Sequence, residues 1–251
     1  MTTGDRKTAG IIVIGNEVLS SKVVDRNTPN ILASMARHGI AVGEVAVLAD
    51  EVERIAAVVA DFARRFDLVV TTGGVGPTHD DCTWKSVALA MDDELAVRPE
   101  LLAWMEERIG GPLNSEQTRM VLLPTRAQLA RDDHTLLIHL DNVWVLPGVP
   151  SMVETRIERI CSRYAAPRPW LATVYFDAEE WRCVHHIDAV VEAFGDLDIG
   201  SYPIFDQDDH RLQITFEGSD RERVSQAVDQ QVAAIGEKHL VRVQWSGGQE
   251  E

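Results

Sequence analysis

Three short segments of this 251-residue chain concentrate glycine, proline and carboxylates. The first is Gly15-Asn16-Glu17-Val18-Leu19-Ser20-Ser21 and the second Thr71-Thr72-Gly73-Gly74-Val75-Gly76-Pro77-Thr78-His79-Asp80-Asp81. The third is Leu146-Pro147-Gly148-Val149-Pro150-Ser151. In the second, three glycines within four residues let the backbone approach a ligand closely and turn amide N–H groups toward an anion. A helix N-terminus just beyond would add a favourable dipole. Phosphate or pyrophosphate is the natural guest. The run is neither the P-loop pattern nor GxGxxG, so neither of those nucleotide fingerprints is read from it.

Asp80 and Asp81 follow the glycines. One Asp at a helix start needs no ligand, because its carboxylate caps free N–H groups. Two of them beside a phosphate cradle offer hard oxygen ligands for Mg²⁺ or a similar ion, which would offset phosphate charge and activate water. Glu17 and Asp25 add carboxylates from the first segment, against the alternative of solvated loop charges. His79 reads as solvent-facing rather than catalytic, and Cys82 as a buried structural thiol, since a flanking acid opposes the lowering of its pKa by a helix dipole. No nucleophile elbow occurs, and His185-His186 lacks a metalloprotease context, so covalent catalysis is not indicated.

These segments need a scaffold that gathers them. Residues 9–14 form an apolar run ending at Gly15, as a buried strand does; residues 29–38 read as a helix closed by Gly39, and 42–48 as a second strand. Asp50 with Glu53 three residues on reads as a helix cap, and Val52, Ile55, Val59, Phe62 and Phe66 recur along one face. Residues 68–72 are a third strand running into Gly73. The alternation predicts an α/β fold with a doubly wound, mostly parallel sheet, whose ligands gather at the carboxyl ends of the strands. Helices are expected over 83–91, 99–109 and 151–163, and a hairpin joins 135–140 to 143–146 through Asp141-Asn142.

Pro167 and Pro169 interrupt the pattern, which places a boundary between a domain of residues 1–164 and one of residues 165–251. The second reads strand, helix, strand, strand, helix, strand over 171–176, 179–194, 199–205, 211–216, 220–235 and 240–243. That is the small ferredoxin-like α+β plan.

The composition, 45% apolar and 25% charged, is that of a globular protein. Against 24 Lys and Arg stand 40 Asp and Glu, a net charge of -16. Residues 1–164 carry 23 acidic and 17 basic side chains, residues 165–251 carry 17 and 7. The sign argues against nucleic acid as partner, and the tail, with Gln213 and Thr215 on its sheet, reads as a structural or assembly module rather than an RNA reader. An acidic site that handles an anionic pyrophosphate needs a cation between the two. No run of about 18 apolar residues suggests a membrane span. Cys82, Cys161 and Cys183 form neither a disulfide framework nor a zinc pattern, so a cytoplasmic location is expected.

Four ordered motifs carry a resemblance. They are Ile14 through Ser20 with Asp25-Arg26-Asn27 and Leu32-Ala33; Thr72 through Thr83; Asn114-Ser115-Glu116-Gln117-Thr118-Arg119-Met120; and Leu146 through Pro150. Together they resemble the molybdopterin-binding (MoaB/Mog-like) domain, in the branch of the competence/damage-inducible protein A (CinA) family, and are similar to the N-terminal half of eukaryotic FAD synthase. Asp198 through Pro203 and residues 212–235 are similar to the small domain that follows in that branch. The deamidase-type domain of longer members has no counterpart in these residues, and nicotinamide-nucleotide deamidation is not expected of them.

The resemblance implies a site for a phosphorylated small molecule, an adenine nucleotide or a pterin such as molybdopterin. Relatives near the branch are metal-dependent pyrophosphatases of ADP-ribose or FAD, whereas Mog and MoaB members adenylate molybdopterin or insert its metal. Carried over, ligand binding falls to Gly15, Asn16, Gly73, Gly74, Gly76, Thr78, Pro147, Gly148 and Pro150. Catalysis falls to Asp80, Asp81 and Glu17, with Asp80 and Asp81 holding Mg²⁺, Mn²⁺ or Co²⁺. A metal-dependent nucleotide pyrophosphatase is expected, the alternatives being a molybdopterin-binding protein of cofactor assembly or a non-catalytic binding protein. The family also implies a homo-oligomer, a dimer or trimer. Two departures stand out: Ser21 occupies a place the family gives to Gly, and Leu129 through Thr135 replaces a Gly-containing, Asn-Pro-rich segment of the pocket.

Overall fold

Residues 9–14 are buried to the last side chain because they lie in the interior of a sheet covered on both faces. A computed structural model describes residues 6–131 and 135–248. Its contacts divide the chain into a unit spanning Asp5–Ala166 and another holding Pro167–Glu251. In chain order the first runs β1 (Thr8–Ile14), α1 (Asn16–Leu19), α2 (Asn27–Arg37), β2 (Ala41–Leu48), α3 (Val52–Arg65), β3 (Leu68–Thr72) and α4 (Thr83–Ala90). There follow β4 (Leu95–Val97), α5 (Pro99–Ile109), β5 (Leu122–Pro124), β6 (Gln128–Arg131), β7 (Leu136–Leu140), β8 (Val143–Leu146) and α6 (Pro150–Cys161).

The six-stranded sheet has the order β2-β1-β3-β8-β7-β6. Its first four strands are parallel; β7 and β6 are antiparallel additions. Side chains alternate across the pleat, so Ile12 and Ile14 enter one core with Ile55, Val59 and Phe62 of α3, while Ile11 and Val13 enter another with Ile31 and Met35 of α2 and Val153 and Ile157 of α6. This is a doubly wound α/β sheet. The hairpin of β7 and β8 turns at Asp141, which adopts φ 50.

Two local expectations are corrected, and a segment to which the sequence assigns no element forms a strand. Asp50 does not cap α3; Glu51 occupies that position without a side-chain bond, and the Asp50 carboxylate is directed to another loop. Helix α2 begins two residues early, because Asp25 Oδ1 accepts the N–H groups of Asn27 and Thr28 at 2.9 and 3.0 Å. Asp25 is thereby a helix-start ligand rather than a spare carboxylate. Finally, Gln128–Arg131 is a sheet-edge strand, and its register sets Arg131 opposite Leu136. Residues 132–134 of that segment lie outside the described residues.

The second unit runs β9 (Trp170–Phe176), α7 (Glu180–Ala193), β10 (Asp198–Pro203), β11 (Leu212–Gly218), α8 (Arg221–Ile235) and β12 (Leu240–Gly247). Its antiparallel sheet has the order β10-β11-β9-β12. Ala172, Val174 and Phe176 of β9 and Ile214 and Phe216 of β11 alternate inward against Val190 of α7 and Val224 of α8. Asp220 Oδ1 caps α8 at Glu222 N–H, 2.9 Å away. Among the described residues no helix is long and apolar enough to cross a membrane.

Candidate functional site

Strands β1, β3 and β8 are sheet neighbours running the same way, so the segments that follow them emerge side by side. Backbone touches backbone there. Gly73 N–H donates to Leu146 O at 3.2 Å and Gly15 N–H to Leu48 O at 3.0 Å. A Cβ on Gly73 would overlap the Ile14 carbonyl oxygen, and one on Gly148 would fall 3.6 Å from Gly73 Cα. Gly73 and Gly74 also adopt φ +100° and +61°, a region costly for any side chain. Thr83, first residue of α4, fixes this turn: its hydroxyl donates to Gly73 O at 2.8 Å and its N–H to Gly74 O at 3.0 Å.

Asn27 clamps the same edge from α2. Its Nδ2 donates to Thr72 Oγ1 at 3.0 Å and to Gly148 O at 2.9 Å, and Thr72 Oγ1 donates to Pro147 O at 3.0 Å. Asn27 is buried, and its Oδ1 has no hydrogen-bond partner. Sequence reasoning gave Asn27 no role, although it stands in the Asp25-Arg26-Asn27 motif. Pro150 is the first residue of α6 and Gly148 lies two residues before it, so the third segment leads from β8 straight into a helix.

The carboxylates share one electrostatic field. Asp50 Oδ2 accepts the Asn16 N–H at 2.9 Å. Burial pushes the Asp50 carboxyl up, and the negative charges of Glu17, Asp80 and Asp81 push the same way against the Asn16 hydrogen bond. Asp50 is the member that sequence reasoning assigned to a helix cap. The Glu17 carboxylate lies over Gly15, at the place a Cβ there would occupy. Asp81 Oδ2 accepts the Thr78 N–H at 2.8 Å and the Thr78 hydroxyl, closing the loop on itself. The Thr78 hydroxyl also holds the exposed Asp80 carboxyl below the usual range. Neither Asp caps α4, where Cys82 stands at the cap without a side-chain bond. His79 is 94% exposed, its Nδ1 3.9 Å from Asp80. Burial, then the Asp50 charge, pushes the Cys82 thiol up, away from a reactive thiolate.

Arg119, another residue without a role in the sequence reading, donates from Nη1 to Pro77 O at 3.3 Å. It comes from a 3-10 turn, Gln117–Val121. Glu17, Asp50, Asp80 and Asp81 are hard oxygen donors, suited to a cation such as Mg²⁺ that takes one or two carboxylates and completes its shell with phosphate oxygens and water. Among the described residues no group of three or more His, Cys, Asp or Glu side chains is arranged to hold a metal ion by itself.

A doubly wound α/β unit with glycine-bearing loops and an acidic rim at the carboxyl edge of its parallel strands is a domain built to receive a small ligand. Residues 10–167, more than half of the chain, match the family described as "Probable molybdopterin binding domain", and the chain belongs to that family. Residues 169–244 match "FAD synthase, middle domain".

The chain is 29% identical over 231 residues to a protein of Archaeoglobus fulgidus, covering 91% of this chain and 98% of that one. To a protein of Caenorhabditis briggsae named "Probable FAD synthase" it is 27% identical over 247 residues, 86% of this chain and 47% of the relative. A CinA-like protein of Geobacter metallireducens is 33% identical over 161 residues, 61% of this chain and 39% of the relative. The chain therefore spans about half the length of the first of these named relatives and less of the second. Among solved structures, the protein CinA of Thermoplasma acidophilum, of unknown function, matches with a TM-score of 0.58 at 26% identity, over 64% of this chain and 100% of that one.

Proposed function

We propose that the Asp5–Ala166 unit binds the pyrophosphate of a nucleotide of the ADP-ribose or FAD type and hydrolyses it with water, assisted by a divalent cation. The observation that carries this reading is the set of carboxylates against the glycine loops: that of Glu17 lies over Gly15, that of Asp81 against Gly76, and that of Asp50 on the Asn16 N–H between Gly15 and Glu17. An acidic rim beside a glycine-lined backbone suits an anionic ligand only if a cation accompanies it. The likeness of most of the chain to proteins named FAD synthases supports a nucleotide of this class.

Each part then has a task. Backbone N–H groups of Gly74, Val75 and Gly76 bind phosphate oxygens, those of Gly73 and Thr78 being engaged by Leu146 O and the Asp81 carboxylate, and the clamp of Asn27 on Thr72 and Gly148 keeps the loops in register. Asp80 and Asp81 would hold the cation, with Glu17 and Asp50 beside them; the all-oxygen donor set fits Mg²⁺ or Mn²⁺. Such an ion, when bound, supplies charge neutralisation and acidifies water. Glu17 and Asp50, the latter through the oxygen not engaged by Asn16 N–H, would orient the attacking water and take its proton. Asp81, engaged by Thr78, keeps the loop in the shape that presents its neighbour Asp80.

The test is a panel of ADP-ribose, FAD, NAD and ATP with Mg²⁺, Mn²⁺ or Co²⁺, read for released mononucleotide. Metal-dependent release that disappears in the Asp80→Asn/Asp81→Asn double variant supports the reading; an unchanged rate in that variant removes it. The family description favours a second reading, a molybdopterin-binding protein of cofactor assembly. Pterin fluorescence on the purified protein, with no hydrolysis of the panel, would select it.

A further inference from the structure

We infer that Arg119 is the cationic arm of this phosphate site, a residue that receives a non-bridging phosphate oxygen of the bound nucleotide beside the glycine loop. The inference rests on the nucleotide reading above and adds a specificity residue to it. Its position is fixed by a braced turn. Gln117 N–H donates to Asn114 Oδ1 at 2.8 Å while Asn114 N–H donates to Gln117 Oε1 at 3.0 Å, and Thr118 bonds Asn114 O through both its N–H and its hydroxyl. At the other end Val121 is fully buried and its carbonyl accepts the Arg98 N–H at 3.0 Å. From this turn Arg119 reaches 42 residues back in sequence to the carbonyl of Pro77, between Gly76 and Thr78.

What Arg119 does not do is equally informative. Several guanidinium groups of this unit are matched by carboxylates, Arg98 by Glu100, Arg126 by Asp93 and Arg65 by Asp61 and Glu44, while the half-buried Arg156 donates to the Leu136 and Met152 carbonyls. Arg119 is exposed, its charge acts on Glu116, and it forms no ion pair among the described residues. A single bond to Pro77 O occupies one of five N–H donors. The rest form a planar fork, the geometry that pairs with phosphate oxygens in two parallel bonds. Around an acidic rim, a guanidinium docked on the phosphate loop itself lets a polyphosphate enter without relying on the divalent ion alone. A lysine at the same place would offer a point charge without the fork.

The test uses the full chain with Mg²⁺ and two probes, ADP-ribose and inorganic pyrophosphate, titrated calorimetrically into wild type, Arg119→Gln, Arg119→Lys and Arg119→Ala. Gln keeps an N–H donor for Pro77 O and lacks the charge. Arg119→Gln and Arg119→Ala are expected to weaken both probes by about tenfold or more, with a shallower salt dependence, and Arg119→Lys to fall between them and wild type. Hydrogen exchange of residues 73–81 should stay near wild type in Arg119→Gln. Wild-type affinity for both probes in Arg119→Gln and Arg119→Ala overturns the inference, including where exchange of the loop rises, because Arg119 would then only dock Pro77. A wild-type protein that binds neither anion overturns the nucleotide reading itself, and the role of Arg119 with it.

Discussion

The Asp50 carboxylate accepts the backbone N–H of Asn16 at 2.9 Å and so ties the end of β2 to the loop after β1. The tie sets a negative charge among three others, and its folded-state pKa is raised by burial and by those charges. The folded state therefore disfavours the ionised form. Asp50→Asn, which keeps the acceptor and deletes the charge, should stabilise the protein at pH 7 by about 0.5 kcal/mol after solvent screening. The gain should vanish below about pH 4, where the carboxyl is protonated in both states. Hydrolysis should fall at least about tenfold in the same variant. Denaturant melts at pH 7 and pH 3.5, with the mononucleotide assay, check both.

Asp80 and Asp81 should separate on substitution. Asp81 closes the loop through both the N–H and the hydroxyl of Thr78, whereas Asp80 is exposed and meets Thr78 through the hydroxyl without its N–H. Asp81→Ala should destabilise by about 1 kcal/mol or more as well as abolish turnover. Asp80→Ala should abolish turnover with an unchanged melting temperature. Equal destabilisation of the two variants would contradict this division.

Gly73→Ala is expected to be severe. The added methyl group meets a backbone oxygen, which cannot rotate away, at a φ of +100°. Strain and overpacking together should remove more than about 2 kcal/mol of stability. The variant should also lose nucleotide binding, because the Ile14 backbone must shift away from the glycine loop to admit it. Urea unfolding measures the first effect and calorimetric titration the second.

Ser21, where the resemblance leads one to expect glycine, adopts φ 56. Left-handed backbone at a residue with a Cβ is strained, so Ser21→Gly should stabilise by about 0.5 kcal/mol net of the extra chain entropy. Replacement by Val, whose branched side chain tolerates this region worst, should destabilise. Thermal melts of the two variants should move in opposite directions.

Asp93 offers a pH probe away from the site. The Thr125 hydroxyl first, then the N–H groups of Arg126 and Glu94 and the Arg126 charge, hold its carboxyl down at about 2. The fold favours the ionised form, so its contribution is complete above about pH 4 and is lost as pH falls toward 2. Wild type should lose stability over that window more steeply than Asp93→Asn. Parallel acid titrations of the two melting curves test it.

Several of these residues show why a site is harder to read than its scaffold. The apolar run of β1 and the one-sided face of α3 repeat with the period of the element that carries them, so each announces its own structure. Asp50 sits before a helix with Glu53 three residues on, a spacing that matches a cap, and nothing local reveals that its carboxylate turns to Asn16 instead. Strand β6 is four residues long and pairs at an edge, too short for alternation to register. Asn27 and Arg119 act on carbonyls 121 and 42 residues distant in sequence.

Residue order alone determined the parallel α/β unit, the βαββαβ tail and the three glycine segments that end strands, because periodicity, turn chemistry and hydrophobic runs act within a few residues. Only the tertiary structure decided that the Ile14, Gly73 and Gly148 backbones meet, that Asp50 belongs to the acidic rim while Asp25 starts a helix, and that Arg119 docks on Pro77. The physical reason is range. Strand order in the sheet sets which loops become neighbours, and the hydrogen bonds and charge couplings of a site form between groups that this order brings within a few ångströms.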